Sequence, residues 1–185
     1  MKSPLLKPTD STEPGGLFPR PITPLVLRNR VGLWFELLHH GGVRRAGLGD
    51  DILGHFVGRE AEAPFANLWL RCRADEGTEL LPLLGPAARG TWQPDACGIR
   101  ARFEGHAPSA LGALRWTVHL HLAEDSPAWF WHVQIQHAGP VPEHWEVVQV
   151  QDIGLTSYGA LRLNEHYVSQ YVDLQPLQHL SLIHI

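Results

Sequence analysis

The stretch WTVHLHLAEDSPAWFWHVQIQ, Trp116–Gln136, decides the fold, because two runs of strictly alternating apolar and polar residues flank a short polar turn. The apolar positions of the two runs are Trp116, Val118, Leu120 and Leu122, then Trp129, Trp131, Val133 and Ile135. A period of two is typical of β-strands, in which successive side chains point to opposite faces of the sheet. The stretch therefore predicts an antiparallel hairpin with one apolar row in the core, and Trp116, Trp129 and Trp131 belong to that row.

Strand patterns continue on both sides of this hairpin. His144–Gln151 reads as a third strand, which would complete a meander of three consecutive antiparallel strands. In Ala66–Cys72, Leu68, Leu70 and Cys72 face one way, while Trp69 and Arg71 face the other. Such alternation is typical of strands with one buried face.

The rest of the chain adds further strands and little helix. Three more runs read as strands, namely Val31–Leu38, Ile52–Val57 and Ile99–Glu104. Residues 75–96 read as loop because they hold several Gly and Pro residues, and only residues 158–164 and 168–174 leave room for a short helix. The pattern predicts an all-β fold, a sandwich of two antiparallel sheets.

Three segments follow from the composition along the chain. Residues 1–24 are rich in proline and predict an extended or disordered tail. Residues 25–180 form the expected β-sandwich domain, which we interpret as truncated at its C-terminus. Residues 181–185, SLIHI, do not resemble the end of a domain, and we interpret them as a non-native tail.

The overall composition excludes several classes of function. The chain has 185 residues, 44% apolar and 18% charged, with a net charge of −4, so no broad basic field attracts nucleic acid or anionic lipid. No apolar run is long enough to span a membrane, and the N-terminus has no signal-peptide core, so we expect a cytoplasmic protein. Cys72 and Cys97 are predicted to be buried free thiols.

Histidines and tryptophans are the first candidates for chemistry. His119, His121 and His132 share one polar face, but no carboxylate or cysteine has a spacing that completes a metal site, so a half-exposed sheet face is favoured and no metal is predicted. Tryptophans fill sandwich cores or stack on sugar rings. Trp69 and Trp92 lie beside polar or loop residues and are the platform candidates.

Two carboxylates lie in apolar surroundings. Asp152 and Glu165 could serve as acid and base in glycoside hydrolysis. A buried carboxylate that accepts several N–H groups also fixes a loop, and this bracing role is favoured over catalysis. The chain has no serine nucleophile elbow, phosphate-binding loop or GxGxxG motif.

Two segments near the end of the chain resemble a known family. Gln151–Leu155, QDIGL, and Asn164–Asp173, NEHYVSQYVD, resemble a signature of β-1,2-glucan phosphorylases in glycoside hydrolase family 94. That group includes the 1,2-β-oligoglucan phosphorylases and the phosphorylase-like part of cyclic β-1,2-glucan synthases. Upstream, Ala63–Arg71, APFANLWLR, is similar to a strand of the same family.

The resemblance implies an architecture and a role. It implies an N-terminal β-sandwich of the galactose mutarotase-like supersandwich type, placed before an (α/α)6 barrel that holds the catalytic acid and the phosphate site. This chain would be the non-catalytic sandwich part of a glycoside phosphorylase acting on β-glucans, and no catalytic residue is assigned in it. Five polar residues would brace loops that face the barrel or contact substrate: Asp152, Asn164, Glu165, Gln170 and Asp173.

The implied partners are the missing barrel, a β-glucan oligosaccharide bound by the intact enzyme, and a second copy in a homodimer. Inorganic phosphate would be a co-substrate of the parent enzyme, and no cofactor is expected. One alternative is a free-standing carbohydrate-binding sandwich that uses Trp69 or Trp92 as a platform. Another is a mutarotase-like enzyme, but Glu165 and His166 would point to opposite faces of one strand and could not act together.

Overall fold

The computed structural model describes residues 23–55, 57–59, 66–74, 77–109, 112–138 and 144–163 of the chain. These residues form twelve strands and one short helix. In chain order they are β1 Leu25–Arg28, β2 Leu33–Leu37, β3 Val43–Leu48, β4 Asp51–Ile52, β5 Ala66–Ala74, β6 Gly77–Pro82, β7 Gly90–Pro94, β8 Arg100–Ser109, β9 Gly112–Leu122, β10 Trp129–Ala138, β11 His144–Gln151, β12 Thr156–Ser157 and α1 Tyr158–Leu163.

The strands form three sheets. One has five strands in the order β1-β2-β3-β4-β12, one has four in the order β10-β9-β8-β7, and one has three in the order β11-β5-β6. Every pair of neighbours is antiparallel. The predicted all-β, sandwich-like fold is confirmed, but it has three sheets and not the two that were expected.

The β9–β10 hairpin has the predicted register, with Leu120 opposite Trp131 and Val118 opposite Val133. The apolar row of β9 is at most 3% exposed. The apolar row of β10 packs against the core but stays half-buried, because β10 is an edge strand. Trp116 is therefore a core residue, as predicted, whereas Trp129 and Trp131 line the margin of the core.

The four-stranded sheet packs against both other sheets, and we call it the shared sheet. One core cluster joins Leu27 and Phe35 of the five-stranded sheet to Leu120 of the shared sheet. A second cluster joins Leu70 of the three-stranded sheet to Phe103 and Trp116 of the shared sheet. The inner face of the shared sheet thus belongs to two cores, and its outer face is left for other contacts.

The prediction that residues 75–96 form one loop was wrong. They include β6 and β7, which pair with β5 and β8. Gly77 and Gly90 begin these strands, and Pro82 and Pro94 end them. Since both are edge strands, the missing proline N–H groups cost little, and the Gly and Pro residues separate short strands within the segment.

The predicted three-strand meander was also wrong, because β11 leaves β10 and pairs with β5. This pairing sets Val147 opposite Leu70 and Trp145 opposite Cys72, so these two residues of β11 share a face with the apolar row of β5. The connecting residues 139–143 lie outside the described residues. Adjacency in sequence predicted a neighbour in the same sheet, but β11 completes the three-stranded sheet instead.

Two shorter predictions also need correction. The strand expected over Ile52–Val57 is reduced to β4, which ends at Ile52. The strand β3 had not been predicted, because Arg44 and Arg45 stand together and interrupt the alternation. The register shifts between Glu36 and Leu37 of β2, where Arg44 is the extra residue of a bulge in β3.

Smaller elements complete the comparison with the sequence. Cys72 is buried, and this burial raises the pKa of its thiol, but Cys97 is exposed in the β7–β8 turn, contrary to prediction. The helix α1 lies within the segment 158–164 that was predicted to have room for one. Within the described ranges, no helix combines the length and the apolar character needed to cross a bilayer.

Candidate functional site

Asp152 lies directly after β11 in a loop that packs closely on the chain after β4. The N–H of Gly154 donates to the carbonyl of Leu53 at 2.7 Å. A Cβ atom at Gly154 would come within 2.8 Å of the Gly54 backbone, so only glycine fits there. Asp152 is half-buried and has an interaction of its own. Its predicted role in bracing this loop remains a prediction.

The other polar candidates from the sequence lie outside the described residues. They are Asn164, Glu165, Gln170 and Asp173, and all of them follow the last described residue, Leu163. The adjacent His166 lies there too, so the opposite orientation of Glu165 and His166 also stays a prediction.

The structure separates the two predicted tryptophan platforms. Trp69 is half-buried on the outer face of the three-stranded sheet, between its cross-strand neighbours Val148 and Pro82. Trp92 is half-buried against both core clusters, with its ring centroid 5.4 Å from that of Phe103 in an edge-to-face arrangement. Trp69 therefore faces outward, as a platform requires, and Trp92 contributes to the core.

The predicted histidine face is the outer face of the shared sheet. The rings of His119 and His132 stack with their centroids 5.7 Å apart. Stacked rings direct their nitrogen lone pairs sideways, so the two side chains do not converge on one ion. Burial, and then the charges of Arg102 and His132, lower the pKa of His119. Among the described residues, no group of three His, Cys, Asp or Glu side chains could hold a metal.

The outer face of the five-stranded sheet carries a cluster of charged residues that satisfy one another. Glu36 accepts a hydrogen bond from Arg44 at 2.5 Å and another from Arg45 at 2.8 Å. Burial alone would raise the pKa of Glu36, but these two arginines outweigh it and hold the pKa below its usual value. The Arg45 guanidinium also lies 5.6 Å from the ring centroid of Trp34. These groups stabilise the sheet and leave few sites for a ligand.

An open groove of about 650 Å³ lies on the outer face of the shared sheet, at the end of β8 and β9 that holds Ser109 and Gly112. Sequence reasoning missed this groove. Its polar side chains come from three neighbouring strands and are Arg102, Glu104, His106, Arg115, Thr117 and Gln136. The outward positions of the alternating pattern could have indicated them, because cross-strand partners share a face.

The polar groups of the groove are arranged around Arg115. Its cross-strand partners are His106 on β8 and Gln136 on β10. Arg102 and Glu104 form an ion pair beside them, and both are nearly half exposed. Within the part of the chain that the structure describes, Arg115 has no hydrogen-bond or ion-pair partner. The groove thus offers a free guanidinium together with imidazole, amide, hydroxyl and carboxylate groups.

Comparison with known proteins identifies the family. Residues 36–183 match the family described as the SOGP N-terminal domain. A stretch of 126 residues is 26% identical to the 1,2-beta-oligoglucan phosphorylase of Listeria innocua serovar 6a, and it covers 68% of this chain and 10% of that protein. The chain therefore spans about a tenth of the length of the curated relative that it matches.

These matches agree with the resemblance seen in the sequence, because they indicate a family related to the 1,2-β-oligoglucan phosphorylases. The family match includes the whole of the second core cluster and of the groove. Since it extends over well more than half of the chain, the protein belongs to the SOGP N-terminal domain family.

Proposed function

We propose that this chain is the non-catalytic N-terminal β-sandwich of a carbohydrate-active enzyme, a glycoside phosphorylase-like protein acting on β-glucans. The family description and the Listeria relative carry this proposal. In the longer protein the domain supports an (α/α)6 barrel, which holds the catalytic acid and binds inorganic phosphate. The loop that contains Asp152 faces that barrel, and a homodimer is a further expected partner.

The described site residues support a silent domain. A phosphorylase needs a carboxylic acid positioned over the glycosidic oxygen. Among the described residues, Glu36 is engaged by two arginines, and Glu104 and Glu146 each pair with an arginine. The two arginines hold the pKa of Glu36 below its usual value, so Glu36 is unsuited to donate a proton.

A direct assay tests the proposal. The purified chain is incubated with β-1,2-linked glucooligosaccharides and inorganic phosphate, and phosphate consumption and sugar release are followed. We expect neither, while the Listeria phosphorylase in the same buffer serves as the active control. Phosphorolysis or hydrolysis by the chain alone, retained after repurification, would show that the domain is catalytic.

A free-standing carbohydrate-binding module is the second candidate, and the outward position of Trp69 favours it. Such a module would bind glucan through stacking on the indole face. Substitution of Trp69 by Ala would then abolish binding.

A further inference from the structure

We propose that the groove on the outer face of the shared sheet binds a short, neutral β-glucan oligosaccharide through Arg115, Gln136 and their neighbours. The choice of a β-glucan as the ligand rests on the proposed function, and the inference assigns its binding to this groove. It is distinct from the Asp152 loop and from the Trp69 platform.

The size and position of the groove suit such a ligand. Its volume of about 650 Å³ lies within the usual range for small-molecule sites, about 300–1,000 Å³. The floor is a paired β-ladder, since β9 has β8 on one side and β10 on the other. Side chains on a rigid sheet keep fixed spacings, so little ordering is needed on binding.

The mixture of donors and acceptors suits hydroxyl groups. A sugar hydroxyl donates one hydrogen bond and accepts others, so its site needs both kinds of group. Arg115 only donates, Glu104 only accepts, and Gln136 and Thr117 do both. The ion pair between Arg102 and Glu104 fixes the orientation of both planar groups before a ligand arrives.

A carboxylate lies among the guanidinium groups of the groove. A phosphate or carboxylate bound to Arg115 would lie near the carboxylate of Glu104, whereas a sugar hydroxyl can donate to that group. Glu104 has a side chain 45% exposed and lines the groove beside Arg102. Glu104 pairs with Arg102, and Arg115 on the next strand has no carboxylate partner among the described residues, so a polyhydroxylated ligand can accept from Arg115 and donate to Glu104.

The test is a titration of the ¹⁵N-labelled full chain with β-1,2-linked glucotetraose, followed by NMR. We expect saturable amide shifts centred on Gly105, Arg115 and Gln136. Arg115→Ala should raise the dissociation constant about tenfold or more, the usual effect of losing hydrogen bonds from a charged group. Arg100→Ala is the matched control, because Arg100 lies on the same face of β8 at its other end and should leave affinity within about twofold.

Several results would overturn the proposal. They are the absence of saturable shifts, shifts centred on Trp69 and abolished by Trp69→Ala, or displacement of the sugar by inorganic phosphate at equal concentration. If Arg115→Ala does not give a dispersed spectrum, Gln136→Leu replaces it, with the same expected loss. The NMR titration and the phosphorolysis assay test different claims. A catalytically active chain would refute the proposed function whether or not the groove binds sugar.

Discussion

Substitution of Gly41 by Ala tests how tightly the second core cluster closes under the β2–β3 turn. Gly41 has φ of +87°, a conformation that side chains with a Cβ rarely adopt. A Cβ atom there would lie 2.8 Å from Cε2 of Phe103 and 2.9 Å from Cδ2 of Leu84. Both side chains are fully buried, so neither can move aside without disturbing the core.

Two costs add in this variant. The left-handed conformation costs an L-residue about 1–2 kcal/mol. Forcing a methyl group into a packed core costs about 1–3 kcal/mol more. The free energy of unfolding should therefore fall by about 2–5 kcal/mol, a large share of the stability of a small domain.

Gly98→Ala is the matched control. Gly98 lies in the β7–β8 turn with φ of +69°, and a Cβ atom added to it would have no other atom within 4 Å. It should lose only the conformational part, about 1–2 kcal/mol. Urea unfolding followed by tryptophan fluorescence gives both values, with the m-value unchanged. If the two variants lose the same stability within about 0.5 kcal/mol, the packing of Phe103 and Leu84 around Gly41 is refuted.

Two further predictions concern the shared sheet. The edge strand β10 has no charged residue and no proline along its ten residues, so it lacks the features that protect sheet edges from association. Gln134→Lys should therefore shift the chain toward monomer in sedimentation velocity. An equal shift with Gln93→Lys, on the opposite edge strand β7, would contradict this role of β10. The pKa of His119 in the folded chain is lowered below 6.5, so the unfolded chain takes up the proton first as pH falls. The stability that His119 contributes is therefore complete above about pH 6.5 and is lost as pH falls through the folded pKa. His119→Gln should therefore reduce the fall of the urea unfolding midpoint between pH 7 and pH 5. If the midpoints of His119→Gln, His121→Gln and the parent chain change equally with pH, His119 has no such effect.

Local pattern predicted the elements of this fold better than it predicted their partners. The alternation over Trp116–Gln136 predicted the β9–β10 hairpin and its buried row correctly, because both strands are contiguous and each has one apolar face. The partner of β11 could not be read in this way. Residues 66–74 lie far away in sequence, and periodicity carries no information on which strand pairs with which.

The candidate site shows the same division. The outward positions of Trp69 and of the histidine face followed from alternation. The groove did not, because it depends on which strands are neighbours: Arg115 meets His106 and Gln136 only through the register of three strands. Four of the predicted polar residues, from Asn164 onward, lie outside the described residues and remain predictions.

The pairing of β12 with β4 affects how the chain matures during synthesis. Thr156 meets Ile52 in this ladder, so the five-stranded sheet stays open until 104 further residues have been translated (156 − 52). At about 5–20 residues per second, that interval is about 5–20 s. During it, the nascent chain presents the unpaired edge of β4 to the chaperones near the ribosome exit, while its other edge pairs with β3 and the local hairpins of the shared sheet form as they emerge. Translation speed over residues 53–156 should therefore affect the soluble yield of the protein.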